Sequence, residues 1–128
     1  MKEQGSIAIL LATYLSIVLL TVIGFSSVGV AMLASHRVQG VADFAVLYGH
    51  DRAVRAGKPN VGRLKLHVEE FARTTPASHR LEILQVEAWT SGQTSHVRIC
   101  ARYQDLFGLK INSMSLCREA SARSFLVF

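Results

Sequence analysis

The sequence predicts an α+β fold: a long N-terminal transmembrane and amphipathic helix, a short second helix, and a small antiparallel sheet of about three strands. Three observations carry that expectation. No Asp, Glu, Lys or Arg stands between Glu3 and Arg37. Apolar residues then recur with helical spacing as far as Ala53. From Arg80 the hydrophobic period falls to two, the period of a strand with one buried face.

The uncharged run is the first element. From Ile7 to Ala34, at roughly 1.5 Å per residue, it makes a helix of about 42 Å. The hydrocarbon core of a bilayer is about 30 Å thick, so the run can span it with length to spare for tilt or protrusion. It is far longer than the apolar core of a cleaved secretory signal, about 7 to 15 residues. Gly24, Ser26, Ser27 and Gly29 cluster in its second half. Such small side chains let membrane helices approach one another, so a helix-mediated oligomer is a candidate assembly alongside the lipid itself.

The second element continues the first. Val38, Val41, Ala42, Ala45, Val46, Gly49 and Ala53 form one stripe, while Arg37, Gln39 and Asp43 fall largely off it. The helix is expected to leave the membrane without a break and to stop at Gly57, with Pro59 close behind. Asp43 is expected to bond Arg37 or a strand residue, to cap a bend, or to stand solvated. The chain thus divides into a leader (1–6), a transmembrane helix (7–34), its amphipathic continuation (35–57) and a small α+β domain (58–128).

In that domain, residues 61–74 predict a second helix with Leu64, Val68, Phe71 and Ala72 on one face and Pro76 as its stop. Leu84, Val86 and Ala88 then alternate with Gln85, Glu87 and Trp89. Ser91-Gly92 supplies turn chemistry. Val97, Ile99, Ala101 and Tyr103 alternate with His96, Arg98, Cys100 and Arg102. These two runs read as a hairpin with one face on the helix, the second broken at Phe107-Gly108. A third strand is expected from about Met114 to Arg123. Cys100 and Cys117 fit either a disulfide or two buried thiols. A bridge requires adjacent strands and would lie on the exposed side of the sheet.

The residues just after the apolar run carry a family resemblance. Gly5-Ser6-Ile7-Ala8-Ile9-Leu10, the run itself, and then the stretch from Arg37 to Leu47 resemble the N-terminal region of TadE/TadG-like proteins of the tight-adherence (Flp pilus) assembly system. That family typically shows an Arg, a hydrophobic-Gln pair, and an Ala-Asp followed by Ala and Leu. The counterparts here are Arg37, Val38-Gln39, Ala42-Asp43, Ala45 and Leu47. The match covers roughly residues 5 to 50, and the short chain is more similar to the small TadE-like proteins of actinobacterial secretion clusters than to full-length TadG. Gly5-Ser6 is also where a prepilin peptidase would cut. The pilin pattern usually has Glu at the fifth residue after that cut, where this chain has Leu10.

The resemblance implies a single-pass, pseudopilin-like protein of the cell membrane, with its C-terminal domain outside the cytoplasm. It implies a structural or assembly role beside other pilus-assembly or secretion proteins, without enzymatic activity. The residues point the same way: no Gly-rich phosphate loop, Cys-x-x-Cys, His-Glu-x-x-His or Gly-x-Ser-x-Gly occurs, and the five His are scattered. No catalytic, metal-binding or cofactor-binding residues are expected, and no cofactor. The net charge of +5 resides after the apolar run, since Lys2 and Glu3 cancel before it. That excess supports an alternative, a membrane-tethered basic module capturing nucleic acid or anionic polymer. A solvated, basic-biased surface explains the charge more simply, and nucleic acid is the less expected partner.

Overall fold

The structure, a computed structural model, describes residues 4–55, 58–78, 81–103 and 115–124. Its elements in chain order are α1 (Gln4–Ala53), β1 (Val54–Arg55), β2 (Lys58–Pro59), α2 (Val61–Thr74), a 3₁₀ turn (Pro76–Ser78), β3 (Leu81–Ser91), β4 (Thr94–Tyr103) and β5 (Ser115–Arg123). This is the expected α+β arrangement, with a separate two-stranded ribbon added. The chain divides into two compact units, Met1–Met32 and Leu33–Phe128.

Among its described residues the first unit is helix alone. An 18-residue window of it has a mean hydropathy of 2.5, and none of that window is buried. It is long and apolar enough to cross a membrane. Ile7, Leu10, Leu15, Leu20 and Phe25 are all more than half exposed. Five of its six Ser and Thr hydroxyls need no outside partner. Thr13, Ser16, Thr21, Ser26 and Ser27 each donate to the carbonyl four residues back, at 2.7 to 2.9 Å. A helix already satisfies its interior backbone groups, and these bonds satisfy the side chains as well.

The second unit holds the core. Val38, Val41, Ala42, Ala45 and Val46 of α1 are at most 2 % exposed, and Ala53 is fully buried. They join Leu64 and Val68 of α2, Val97, Ile99 and Ala101 of β4, and Ala120 and Ala122 of β5 in one cluster. Burying each Leu, Ile or Val here contributes about 1.5–3 kcal/mol. Most of the α1 side chains in it are small, so the helix can be approached closely. The approach is tightest at Gly49, where a Cβ would lie 2.6 Å from Val68 Cγ2 and 3.0 Å from Leu64 Cδ1.

α2 begins where Asn60 caps it, its side chain accepting from the Arg63 amide at 3.1 Å. Helix formation stops after Thr74 because Pro76 forces the residue before it into the extended region, where Thr75 lies at φ −69°, ψ 132°. The sheet order is β3-β4-β5, antiparallel throughout. Gly92, at φ +62°, opens the two-residue β3–β4 turn, a primed geometry that suits glycine.

Two expectations need correction. α1 ends at Ala53, short of Gly57. Val54 and Arg55 instead pair with Pro59 and Lys58 in a ribbon, and the Asn60 amide donates to the Ala53 carbonyl at 3.1 Å. Residues 56 and 57 lie outside the described residues, as do Arg80, Phe107-Gly108 and Met114. Leu84 does not share the face of Val86 and Ala88. The register shifts between Ile83 and Gln85, so that Ile83 packs on the core and Leu84 is 45 % exposed. An extra residue in one strand reverses the facing of everything before it. Of the courses left open for Asp43, the solvated one holds: it is exposed and, among the described residues, bonds neither Arg37 nor a strand residue. It accepts from Gln39 Nε2 at 2.8 Å, one helical turn away, whereas Arg37 lies six positions off and on another face.

Gly49→Ala is expected to cost about 1–3 kcal/mol through overpacking against a stiff, β-branched Val68. The thermal midpoint of the full chain in lipid vesicles, followed by the fluorescence of its one tryptophan, Trp89, checks this. An unchanged midpoint would mean that α1 and α2 do not approach at Gly49.

Candidate functional site

The residues of the family-like stretch separate by helical phase. Ala42 and Ala45 are fully buried and help seat the sheet and α2. Arg37, Asp43 and Leu47 are exposed, Leu47 at 57 %. Phe44, also 65 % exposed, joins Leu47 on an apolar strip that no described residue covers. Gln39 is half-buried on the flank. Its Nε2 donates to Asp43 and, at 3.4 Å, to the Glu119 carbonyl of β5, tying helix to strand. Gly5 and Ser6 lie in the first turns of α1 and are exposed. The structure therefore does not gather the sequence-predicted residues into one pocket. It divides them between packing and surface.

The sheet face turned away from the core carries the polar chemistry. Cys100 and Cys117 stand directly opposite one another on β4 and β5, with Cα atoms 4.0 Å apart, and are joined in a disulfide. The bridge closes a separation of 17 residues, which in the chain-entropy picture stabilises the fold by about 3 kcal/mol. One pair along, Arg98 reaches Glu87 at 3.8 Å on one side and Glu119 at 3.4 Å on the other. Exposed pairs of this kind contribute about 0–1 kcal/mol each. Trp89 stacks on His96 with the rings 9° from parallel and 5.4 Å apart.

Among the described residues no group of three or more His, Cys, Asp or Glu is placed to hold a metal ion. One buried histidine does stand out. His50 of α1 places Nδ1 2.7 Å from the Ser95 hydroxyl of β4, and both residues are buried. Its Nε2 is buried without a partner. Burial lowers the His50 pKa below its ordinary 6.5, opposed in part by the charge of Asp51.

Sequence reasoning missed three contacts, two of which left a signal. His50 follows Gly49 and precedes Ala53 by three, which is the phase of the buried stripe. Arg118 is in phase with Ala120 and Ala122, so it belongs to the helix-facing side of β5. There it donates to the Ser35 hydroxyl through Nε, at 3.1 Å, and Nη2. Tyr48 packs on Phe71 at 5.3 Å and lies under the Arg52 guanidinium, 3.7 Å from the ring centre, a contact that only the crossing of α1 and α2 could reveal.

Comparison with family models, with curated proteins and with solved structures finds no match for this chain.

The His50 arrangement predicts a pH dependence. The folded state holds the imidazole neutral more strongly than the unfolded chain does. Stability is therefore full above about pH 6.5 and declines as pH falls from there toward the lower folded pKa, levelling off below it. Thermal midpoints measured across this range should fall with acidification, and His50→Gln should flatten the part of the curve that His50 contributes. An unaltered slope in that variant would contradict the assignment.

Proposed function

We propose that the chain is a single-pass membrane protein inserted through residues 7–34, with its α+β domain outside the cytoplasm. In this reading it serves as a pilin-like structural component in the assembly of a Tad/Flp-type pilus or secretion system. One observation carries the membrane part. A continuous helix exposes its apolar side chains all round and bonds its own hydroxyls internally. In water this would be an apolar patch well beyond the few hundred Å² that soluble monomers ordinarily expose. In lipid it is the favoured state.

The orientation is supported by the disulfide. Such bonds persist in oxidising compartments and are rare in a cytoplasm, so Cys100–Cys117 argues for a domain facing outward. The pilus or secretion role is supported by the Arg37-to-Leu47 resemblance. The domain's construction fits it: Ala42, Ala45 and Gly49 let the sheet and α2 pack on the helix. The uncovered Phe44 and Leu47 offer a neighbouring subunit an apolar contact. Leu10, in place of the pilin carboxylate, favours an assembly factor over a bulk filament subunit.

Thiol labelling tests the topology. In intact cells, a membrane-impermeant maleimide should label the full chain only after a reductant has opened Cys100–Cys117. Labelling that appears only after permeabilisation would place the domain inside. Co-purification from native membranes should bring down pilus or secretion components. A chain recovered alone under crosslinking would remove the assembly role.

A further inference from the structure

The end of the apolar run is surrounded by positive charge. Arg118 occupies a position on β5 opposite Ile99, on the face where its neighbours Ala120 and Ala122 are buried. It is nevertheless exposed, and it lies over Ser35, the residue that follows the span. Arg37 is two residues on along α1 and also exposed. Positions two apart on a helix differ by about 200° in direction, so the two guanidiniums lie on opposite sides of α1 at nearly one level. His36, exposed, projects between them.

Among the described residues neither Arg37 nor Arg118 has a carboxylate within ion-pair distance. The Glu119 carboxylate points to the other face of the sheet and is engaged with Arg98. Asp43 is about 9 Å of helix rise beyond Arg37 and is already bonded to Gln39.

The height of this charge relative to lipid follows from the apolar side chains below it. Met32 and Leu33 are still 61 % and 55 % exposed, so a bilayer that covers the run reaches them. With the hydrocarbon edge at Leu33, Ser35 to Arg37 falls within about 6 Å of it, inside the headgroup layer. Guanidinium is the side-chain group best shaped to take a phosphate through two parallel hydrogen bonds.

Resting on the reading of residues 7–34 as a bilayer span, we infer that Arg37 and Arg118 form a cationic collar that binds the phosphates of anionic phospholipid headgroups. The Ser35 hydroxyl orients Arg118 but is not itself required for the charge. The collar would fix how deeply the helix sits and hold the first turns of the domain against the membrane surface.

The full chain in discs of equal parts phosphatidylcholine and phosphatidylglycerol tests this. Lipids that stay with the chain on transfer to mild detergent are counted by mass spectrometry. Phosphatidylglycerol should be enriched over the input, and Arg37→Gln and Arg118→Gln should each reduce that preference by about fivefold. Ser35→Ala should leave it in place, as should Arg63→Gln, which removes an equal charge from the exposed first turn of α2. Arg37→Gln makes the test independent of any folding defect at Arg118, since Arg37 touches no partner side chain among the described residues. Flotation with vesicles in alkaline carbonate separates the two ideas. A chain that does not float overturns both the span and the collar. A chain that floats but shows no phosphatidylglycerol preference, or loses it equally in Arg63→Gln, overturns the collar alone.

Discussion

How closely α1 can be approached governs the rest of the domain. A helix lined with Leu would hold its neighbours at a distance, but this one presents Ala42, Ala45, Gly49 and Ala53 among three valines. With Gly49 touching Val68 and Leu64, α2 is set on one flank. β4 is set by the same stripe, because its buried Val97, Ile99 and Ala101 share one cluster with it. Gln39 and Ser35 then reach β5 by hydrogen bonds, and His50 reaches β4 through Ser95. Cores packed this tightly penalise both added and lost methylenes, so small residues at these positions are a requirement of the fold.

The same helix carries two kinds of surface along its length. Up to Leu33 the large apolar side chains point in every direction and are exposed. From Ala34 onward burial is confined to one stripe, and the opposite faces carry His36, Arg37 and Asp43. The sheet repeats this division on its own scale. Its inner face is aliphatic apart from Ser95 and Arg118. Its outer face holds the disulfide, the Glu87–Arg98–Glu119 row and the Trp89–His96 stack. The outer face is pinned by cross-strand pairs, since it has no core to hold it.

Much of this was legible in the sequence because the periods are strong. The stripe from Val38 to Ala53, the bounds of α2 and the strand alternation on β4 all follow from spacing alone. The bulge at Leu84 did not, because an extra residue leaves both Ile83 and Leu84 looking inward until the partner strand fixes the register. The early end of α1 escaped for a similar reason. Val54 and Arg55 have no helix-breaking chemistry, and only pairing with Lys58 and Pro59 makes them extended. Pairing of Cys100 with Cys117 required knowing that β4 and β5 are neighbours. The polar residues at core phase were least legible. Arg118 and His50 sit at positions whose phase says core, and what they do there depends on a hydroxyl from another element.

The proposed division of α1 into a membrane-spanning part and a domain-packed part can be tested amide by amide. Hydrogen–deuterium exchange of the full chain in vesicles, with and without urea, is the direct measurement. Without urea, amides from about Leu10 to Leu33 and from Val38 to Ala53 should both exchange slowly. Urea that unfolds the domain should release the second group and leave the first protected, because lipid, and not tertiary packing, shields it. Release of both groups together, or rapid exchange across residues 10–33 in vesicles without urea, would contradict a membrane-spanning first half.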